Sequence, residues 1–304
     1  MRKPPLAIFA LCSVGVFAAL LTFSRLARAR VEGTFAFHAV HYDVDAALHP
    51  EDQTISVTAK IEFIDDQPSR DLRVELHPDL KVTSVTTESG APLSSERSPD
   101  NALQFRVTLP DAYSAGQHVK LVFTYAGPVG SEEDSPSQGL RLANVDSTGA
   151  YLLLPSRWFP LTNYPANRYT ATFRITAPNA FAVVGTGATS SPNVAPGGKV
   201  IYTFVNNTPA PAGSFAAGPL QLSPVKAEGL GISVYAPAST PAPAEYANTF
   251  SQIVNSFSSD FGAISDMTFT IAQMQDGSVQ GYSAPGLILI SARQWSTKPP
   301  VGLL

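Results

Sequence analysis

The chain has 304 residues, enough for two domains, with 44% hydrophobic residues and a net charge of −4. Only 14% of the residues are charged and 26 are proline, a balance that argues against a disordered chain and suits a β-rich protein outside the cytoplasm. The body carries no basic block, so no nucleic-acid partner is expected. Cys12 is the sole cysteine, which leaves no intrachain disulfide and no cysteine-based zinc site.

At the N-terminus, Arg2 and Lys3 precede an apolar run from Leu6 to Phe23, and Arg25, Arg28 and Arg30 follow it. Residues 1–32 are therefore expected to be a signal peptide or an N-terminal membrane anchor. Ala27-Arg28-Ala29 offers a small-residue cleavage site, and positive charge on both flanks weakens the orientation signal. Both readings stay open, and both place the body outside the cytoplasm: membrane-anchored, periplasmic or extracellular.

From Tyr42 to Phe204 a period of two dominates. Tyr42, Val44, Ala46 and Leu48 alternate with polar or small residues, as do Ile55, Val57, Ala59, Ile61 and Phe63. The pattern returns in Leu72–Leu76, Leu103–Leu109, Val119–Tyr125, Tyr169–Ile175 and Val200–Phe204. It predicts half-buried strands, and the turn-forming breaks between them predict antiparallel sheets with one wet face. Residues 127–144, with Glu132, Glu133 and Asp134, read as a solvated loop.

The character changes after about Val225. Pro237 to Pro243 reads as a linker. Tyr246, Phe250, Ile253, Val254, Phe257 and Phe261 recur at spacings of three and four, which predicts an amphipathic helix from about Ala242 to Phe261, stopped by Gly262. Its aromatic residues read as core contacts. Met267, Phe269 and Ile271 predict a strand, and Leu287–Ile290 a second strand buried on both faces.

Four stretches in order carry a resemblance. They are His41-Tyr42-Asp43-Val44 with Ile55–Phe63; the run Trp158-Phe159-Pro160-Leu161-Thr162-Asn163-Tyr164-Pro165-Ala166-Asn167-Arg168, continued by the strand to Phe173; Ser214–Gly218; and Phe261-Gly262 with Gly277–Ile290. In this order they resemble the aminopeptidase N family of zinc metallopeptidases, whose W-[FY]-P-x-x-[DN]-x-P-x-x-[KR] segment is similar to the second stretch. The resemblance implies a mainly β fold. An antiparallel β-sandwich or saddle-shaped N-terminal domain (residues 33–225) is followed by a partial α/β thermolysin-like segment (residues 226–304) that stops before the zinc helix. It also implies an edge strand that binds peptide, here Gly281, Tyr282, Ser283 and Ala284.

The sequence departs from the family in two places. Aligned on Gly286-Leu287, Ser283 stands where the family carries a glutamate that pairs with the substrate amine, and a serine supplies no formal negative charge. The family's zinc motif is His-Glu-x-x-His, two histidines on one helix face with a glutamate to activate water. The five histidines here are His38, His41, His49, His77 and His118, and none lies in such a motif. The resemblance thus implies no catalytic residue, no metal ligand and no cofactor in this chain, with zinc expected only in a complete family member. A peptide substrate or protein partner, and the membrane through the N-terminal segment, are the expected partners. The rival reading is a non-catalytic extracytoplasmic peptide- or protein-binding β-module.

Other constellations carry less. His38 and His41, three apart on a strand, are expected on opposite faces and so make poor co-ligands. Ser283 has no histidine near it in sequence to activate it as a nucleophile. Asn206-Asn207-Thr208 is a formal glycosylation sequon.

Overall fold

Alternating burial builds the first part of the fold. A computed structural model describes residues 35–130, 139–223, 225, 230–241, 243–262, 268–277 and 279–304. The expected signal or anchor segment and the acidic residues Glu132, Glu133 and Asp134 lie outside the described residues. Among the described residues, no helix is long and apolar enough to cross a membrane. The first strands are β1 (Phe37–His49), β2 (Thr54–Asp65), β3 (Ser69–Glu75), β4 (Lys81–Thr87), β5 (Ser94–Arg97), β6 (Gln104–Tyr113) and β7 (His118–Pro128). Next come β8 (Ala143–Asp146), β9 (Gly149–Leu152), β10 (Tyr169–Pro178), β11 (Ala182–Gly185), β12 (Ala188–Thr189), β13 (Asn193–Ala195), β14 (Lys199–Ala210) and β15 (Phe215–Gly218). The rest are β16 (Gln221–Ser223), β17 (Gly231–Ala236), α1 (Pro243–Phe261), β18 (Thr268–Met274), β19 (Gly281–Ala284) and β20 (Leu287–Ser291).

An eight-stranded sheet runs in the order β12-β14-β10-β1-β2-β7-β4, with β13 also on β14. Its alternating residues, such as Val44, Ile61, Phe123 and Phe173, are buried. The expected antiparallel pairing holds throughout this sheet except at its centre. There β1 and β10 run parallel, with Tyr42 opposite Ala171 and Val44 opposite Phe173. Parallel neighbours need a long crossover, and all the strands from β2 to β9 lie within it.

Two small sheets cover the inner face: β3-β6-β5 and β11-β15-β9-β8. The second is itself enclosed. Val145, Leu152, Val183 and Phe215 face the large sheet, while Tyr151, Leu153, Val184 and Ala216 meet Ala272, Met274, Leu287 and Leu289 of a five-stranded sheet, β16-β17-β18-β20-β19. The far face of that sheet, with Val234, Ile271, Ile288 and Ile290, packs on Tyr246, Phe250 and Val254 of α1. Every residue of β20 is therefore buried, as its continuous apolar run predicts.

Helix α1 opens on Pro243, where a missing N–H costs nothing. It closes at Gly262, whose φ of 95° suits the residue after a helix and whose N–H donates to the Ser258 carbonyl at 3.0 Å. Its buried stripe runs from Tyr246 to Val254. The expectation that all its aromatics are core contacts needs correction. Phe250 is buried against Phe269 at 5.0 Å. Phe257 and Phe261 are 59% and 80% exposed and contact each other at 6.0 Å. They continue the stripe beyond the part of the helix that the sheet covers.

This layering makes two substitutions diverge. Leu289→Ala is expected to lower stability by about 2–5 kcal/mol, and Phe261→Ala to change it by less than about 0.5 kcal/mol, both read from urea denaturation.

Candidate peptide-binding edge

Strand β19 ends the five-stranded sheet and, among the described residues, pairs only with β20, antiparallel, with Tyr282 opposite Leu289 and Ala284 opposite Leu287. A Pro285-Gly286 turn joins the two, with Gly286 at φ 72° and its carbonyl accepting the Thr270 N–H at 2.8 Å. The N–H of Ser291 donates to Gln280 at 2.9 Å. Bonded pairs alternate along an antiparallel ladder, so Tyr282 and Ala284 bond β20 while Gly281 and Ser283 direct their N–H and C=O groups to the free edge. The side chain of Ser283 is exposed. The ring of Tyr282 turns the other way, toward the four-stranded sheet.

That ring is held by Ser214, whose hydroxyl donates to the Leu153 carbonyl at 2.7 Å. A serine hydroxyl has one hydrogen, so the Tyr282 hydroxyl, 3.0 Å away, donates to Ser214 Oγ. Ser214 itself is placed by the Trp158–Arg168 segment. The Trp158 indole N–H donates to the Gly213 carbonyl at 2.8 Å, and Tyr169 donates to the Ala212 carbonyl at 2.7 Å. Gly213 has φ 106°, and a Cβ there would stand 2.5 Å from the Phe159 ring, so only glycine fits. Rings of Tyr42, Phe159, Phe173 and Phe215 close the cluster, at centroid distances of 4.6 to 5.7 Å from Trp158 or 5.2 Å between Tyr42 and Phe159.

Asn163 turns the chain in the left-handed region (φ 49°) and exposes the next ring, Tyr164, by 38%. Burial pushes the phenols of Tyr282 and Tyr169 upward, and neighbouring tyrosines add to the shift. Tyr42 and Tyr125 are raised by burial as well. Sequence reading singled out Tyr282 and the Trp158 segment but not their meeting through Ser214, because loop contacts of this kind carry no periodic signal.

The loop before β19 is anchored across sheets. Gln275 donates to Asp146 and, at 2.7 Å, to Thr148 Oγ1, while Asn144 donates to Asp146 at 2.8 Å and to Gln275 at 3.1 Å. Desolvation pushes the Asp146 carboxyl up, but the bonds from Thr148, Gln275 and Asn144 outweigh it and hold the group below its usual value. Asp276 accepts from Ser291 Oγ at 2.8 Å and from its neighbour Gly277 N–H at 3.0 Å, and it pairs with Arg293 at 3.4 Å.

The histidines are dispersed. A bulge between Ala39 and His41 shifts the alternation of β1, so His38 and His41 are both half-buried on the outer side, not on opposite faces. Each still has its own partner: His38 pairs with Asp66 at 2.8 Å and His41 with Thr170 at 2.8 Å. His49 bonds Ser56 at 2.9 Å, His118 bonds Glu62 at 2.7 Å, and His77 is buried near Asp79. Among the described residues, no group of three or more histidine, cysteine or acidic side chains is placed to hold a metal ion, so this donor set does not fit zinc. The amide of Asn206 in the sequon donates to the Thr186 carbonyl at 3.3 Å and packs over Gly187, which makes it a poor glycan acceptor.

Solved structures share this arrangement of sheets. An M1 zinc metallopeptidase from Deinococcus radiodurans matches with a TM-score of 0.69 at 21% identity, over 88% of this chain and 62% of its own. A variant of that enzyme bound to a Tyr-Ser-Ala substrate matches with a TM-score of 0.70 at 20% identity, over 85% of this chain and 61% of its own. The fold is that of the M1 zinc metallopeptidases. The likeness is one of fold, and the chain spans about three-fifths of the length of these M1 enzymes (61% and 62%). A two-domain M1 variant bound to L-tryptophan matches equally well, with a TM-score of 0.69 at 20% identity over 88% of this chain and 62% of its own. No protein-family model matches the sequence, and neither does any curated protein.

Two pH effects follow for this M1-type fold. Raised phenol values mean that the folded state favours the neutral tyrosines. Their contribution is complete below about pH 10 and is lost as pH climbs above it, so the urea midpoint is expected to fall while phenolate absorbance rises. Asp146 has a depressed value. Its contribution is present above about pH 4 and is lost as pH falls through its folded value. Asp146→Asn is expected to flatten that acid-side decline in the urea midpoint.

Proposed function

We propose that this chain is the peptide-holding portion of an aminopeptidase N-like metallopeptidase that acts on peptides outside the cytoplasm, and that it binds peptides without hydrolysing them. One observation carries the reading: in an M1-type fold, β19 presents the outward backbone groups of Gly281 and Ser283 at an unpaired sheet edge. An extended peptide adds to such an edge by main-chain hydrogen bonds. The relative bound to Tyr-Ser-Ala supports a peptide as the ligand.

The absence of hydrolysis follows from chemistry. Without a metal-bound or base-activated nucleophile, a serine at the edge has nothing to deprotonate it, and no histidine follows His118 in the sequence. Ser283 in place of an acid also removes the charge that would pair with a substrate amine. Residues 1–32 would export the chain, either as a cleaved signal or as a retained membrane anchor.

A second reading, a non-catalytic extracytoplasmic β-module for peptides or proteins, is favoured by the enclosure of β20, which has both faces covered within this chain. One experiment separates the two. The purified chain is supplied with zinc and aminoacyl and peptidyl fluorogenic substrates, and peptide binding is followed in parallel by fluorescence anisotropy. Binding without turnover is the expected result. Turnover abolished by a chelator would overturn the claim that this chain does not hydrolyse, and absence of binding would remove the edge as the site.

A further inference from the structure

Strand β11 ends the four-stranded sheet and, among the described residues, pairs only with β15. The Thr186 N–H donates to the Ser214 carbonyl at 3.1 Å, and this pair continues the register that sets Val184 opposite Ala216. Bonded pairs alternate along an antiparallel ladder, so Val183 and Gly185 direct their N–H and C=O groups away from β15. One step back in the same alternation, the Phe181 carbonyl accepts the Tyr202 hydroxyl at 3.0 Å. The outward groups of Val183 and Gly185 meet no donor or acceptor among the described residues.

Beyond that edge lies a cavity of about 440 Å³. Its floor is Tyr202 and Phe204 of β14 in the large sheet, and its roof is Leu222, Tyr235 and Thr270 of the five-stranded sheet. The buried valines of β11 face the same two layers: Val183 lies in the core of the large sheet and Val184 in that of the five-stranded sheet. The cavity therefore prolongs the layer that β11 ends. At the usual strand rise, strand spacing and sheet separation a residue fills roughly 160 Å³, so a strand of about three residues fits. None of the residues around the cavity is charged.

We infer that this cleft takes an extended, uncharged segment of a partner polypeptide as a fifth strand of the four-stranded sheet. The segment pairs by its main chain with Val183 and Gly185. A compact apolar molecule would leave those groups unpaired. A charged side chain would lose its water there without finding a partner, and a strand covered on both faces reads as a continuous apolar, β-branched run. The site is separate from β19, since the two strands end different sheets.

The test uses the whole chain and a peptide in which Val-Thr-Val-Thr-Val is flanked by lysine pairs for solubility. Residue-resolved amide hydrogen exchange is expected to slow about tenfold or more at Val183 and Gly185 when the peptide is added. The same peptide with a central glutamate is expected to need at least about tenfold more for equal slowing. Leu222→Lys, at a position 55% exposed, puts a charge on the roof and is expected to abolish the slowing with an unchanged melting temperature. If Leu222→Lys melts early, the exchange pattern of the native chain decides alone. Slowing confined to Gly281 and Ser283 would place the peptide on β19 and overturn the cleft as its site, and so would no slowing at Val183 and Gly185 up to about 1 mM peptide. Equal slowing by the glutamate peptide would overturn the preference for an uncharged segment.

Discussion

The four-stranded sheet β11-β15-β9-β8 is enclosed on both faces, and the rest of the molecule depends on that enclosure. One face closes the core of the large sheet and the other is the floor of the five-stranded sheet. Burying an apolar side chain contributes roughly 1.5–3 kcal/mol, and here consecutive residues on β9 are buried in two different cores: Leu152 in the first and Tyr151 in the second. A sheet in that position cannot shift register without disturbing both layers, because a slip of one residue exchanges its faces. It is the rigid plate that relates the aromatic cluster of Trp158 to the edge strand β19.

The path between them is short and polar. Trp158 holds the Gly213 carbonyl, Tyr169 holds Ala212, and the next residue, Ser214, receives Tyr282. Along this path the donors of Trp158, Tyr169, Ser214 and Tyr282 each find a carbonyl or hydroxyl, as buried polar groups require. The motif that identifies the family resemblance is thus a support for the edge strand, not a reacting group. Its Trp158, with Tyr169 just beyond it, holds the Ala212-Gly213 carbonyls that precede Ser214, the residue that meets Tyr282 of β19.

The edge itself is permissive. An unpaired strand edge invites pairing with another chain, and natural proteins usually blunt it with charge, proline or brevity. β19 is short, runs into Pro285 and has no charged side chain on its four residues. Shortness limits unspecific pairing, and the lack of charge leaves the backbone groups of Gly281 and Ser283 as the polar features of the edge besides the Ser283 hydroxyl. Among the described residues the histidines do not converge: His38, His41 and His49 are spread along β1 and His118 opens β7, each with its own partner.

Much was legible from the residues alone. Period-two alternation located β1, β2, β7 and β10 and their buried residues, since each of those strands has one core face and one wet face. The spacing of Tyr246, Phe250 and Val254 located α1, and Gly262 its end. The run Leu287–Ile290 announced a strand covered on both sides. Other features were decided only by tertiary structure. Parallel pairing of β1 with β10 joins segments far apart in sequence, and no local pattern encodes it. The bulge after Ala39 moved His41 to the side of His38, because one extra residue reverses the alternation that sequence reading assumes. Phe257 and Phe261 kept the helical stripe yet stayed exposed, since periodicity reports which face is apolar and not how far the neighbouring sheet extends. The outward aim of Gly281 and Ser283 depends on hydrogen-bond alternation with β20, and the Tyr282–Ser214 contact on the stacking of two sheets. Sequence alone determined the elements and the residues at the edge; the tertiary structure decided which backbone groups are free there, because that depends on which neighbours each strand finds.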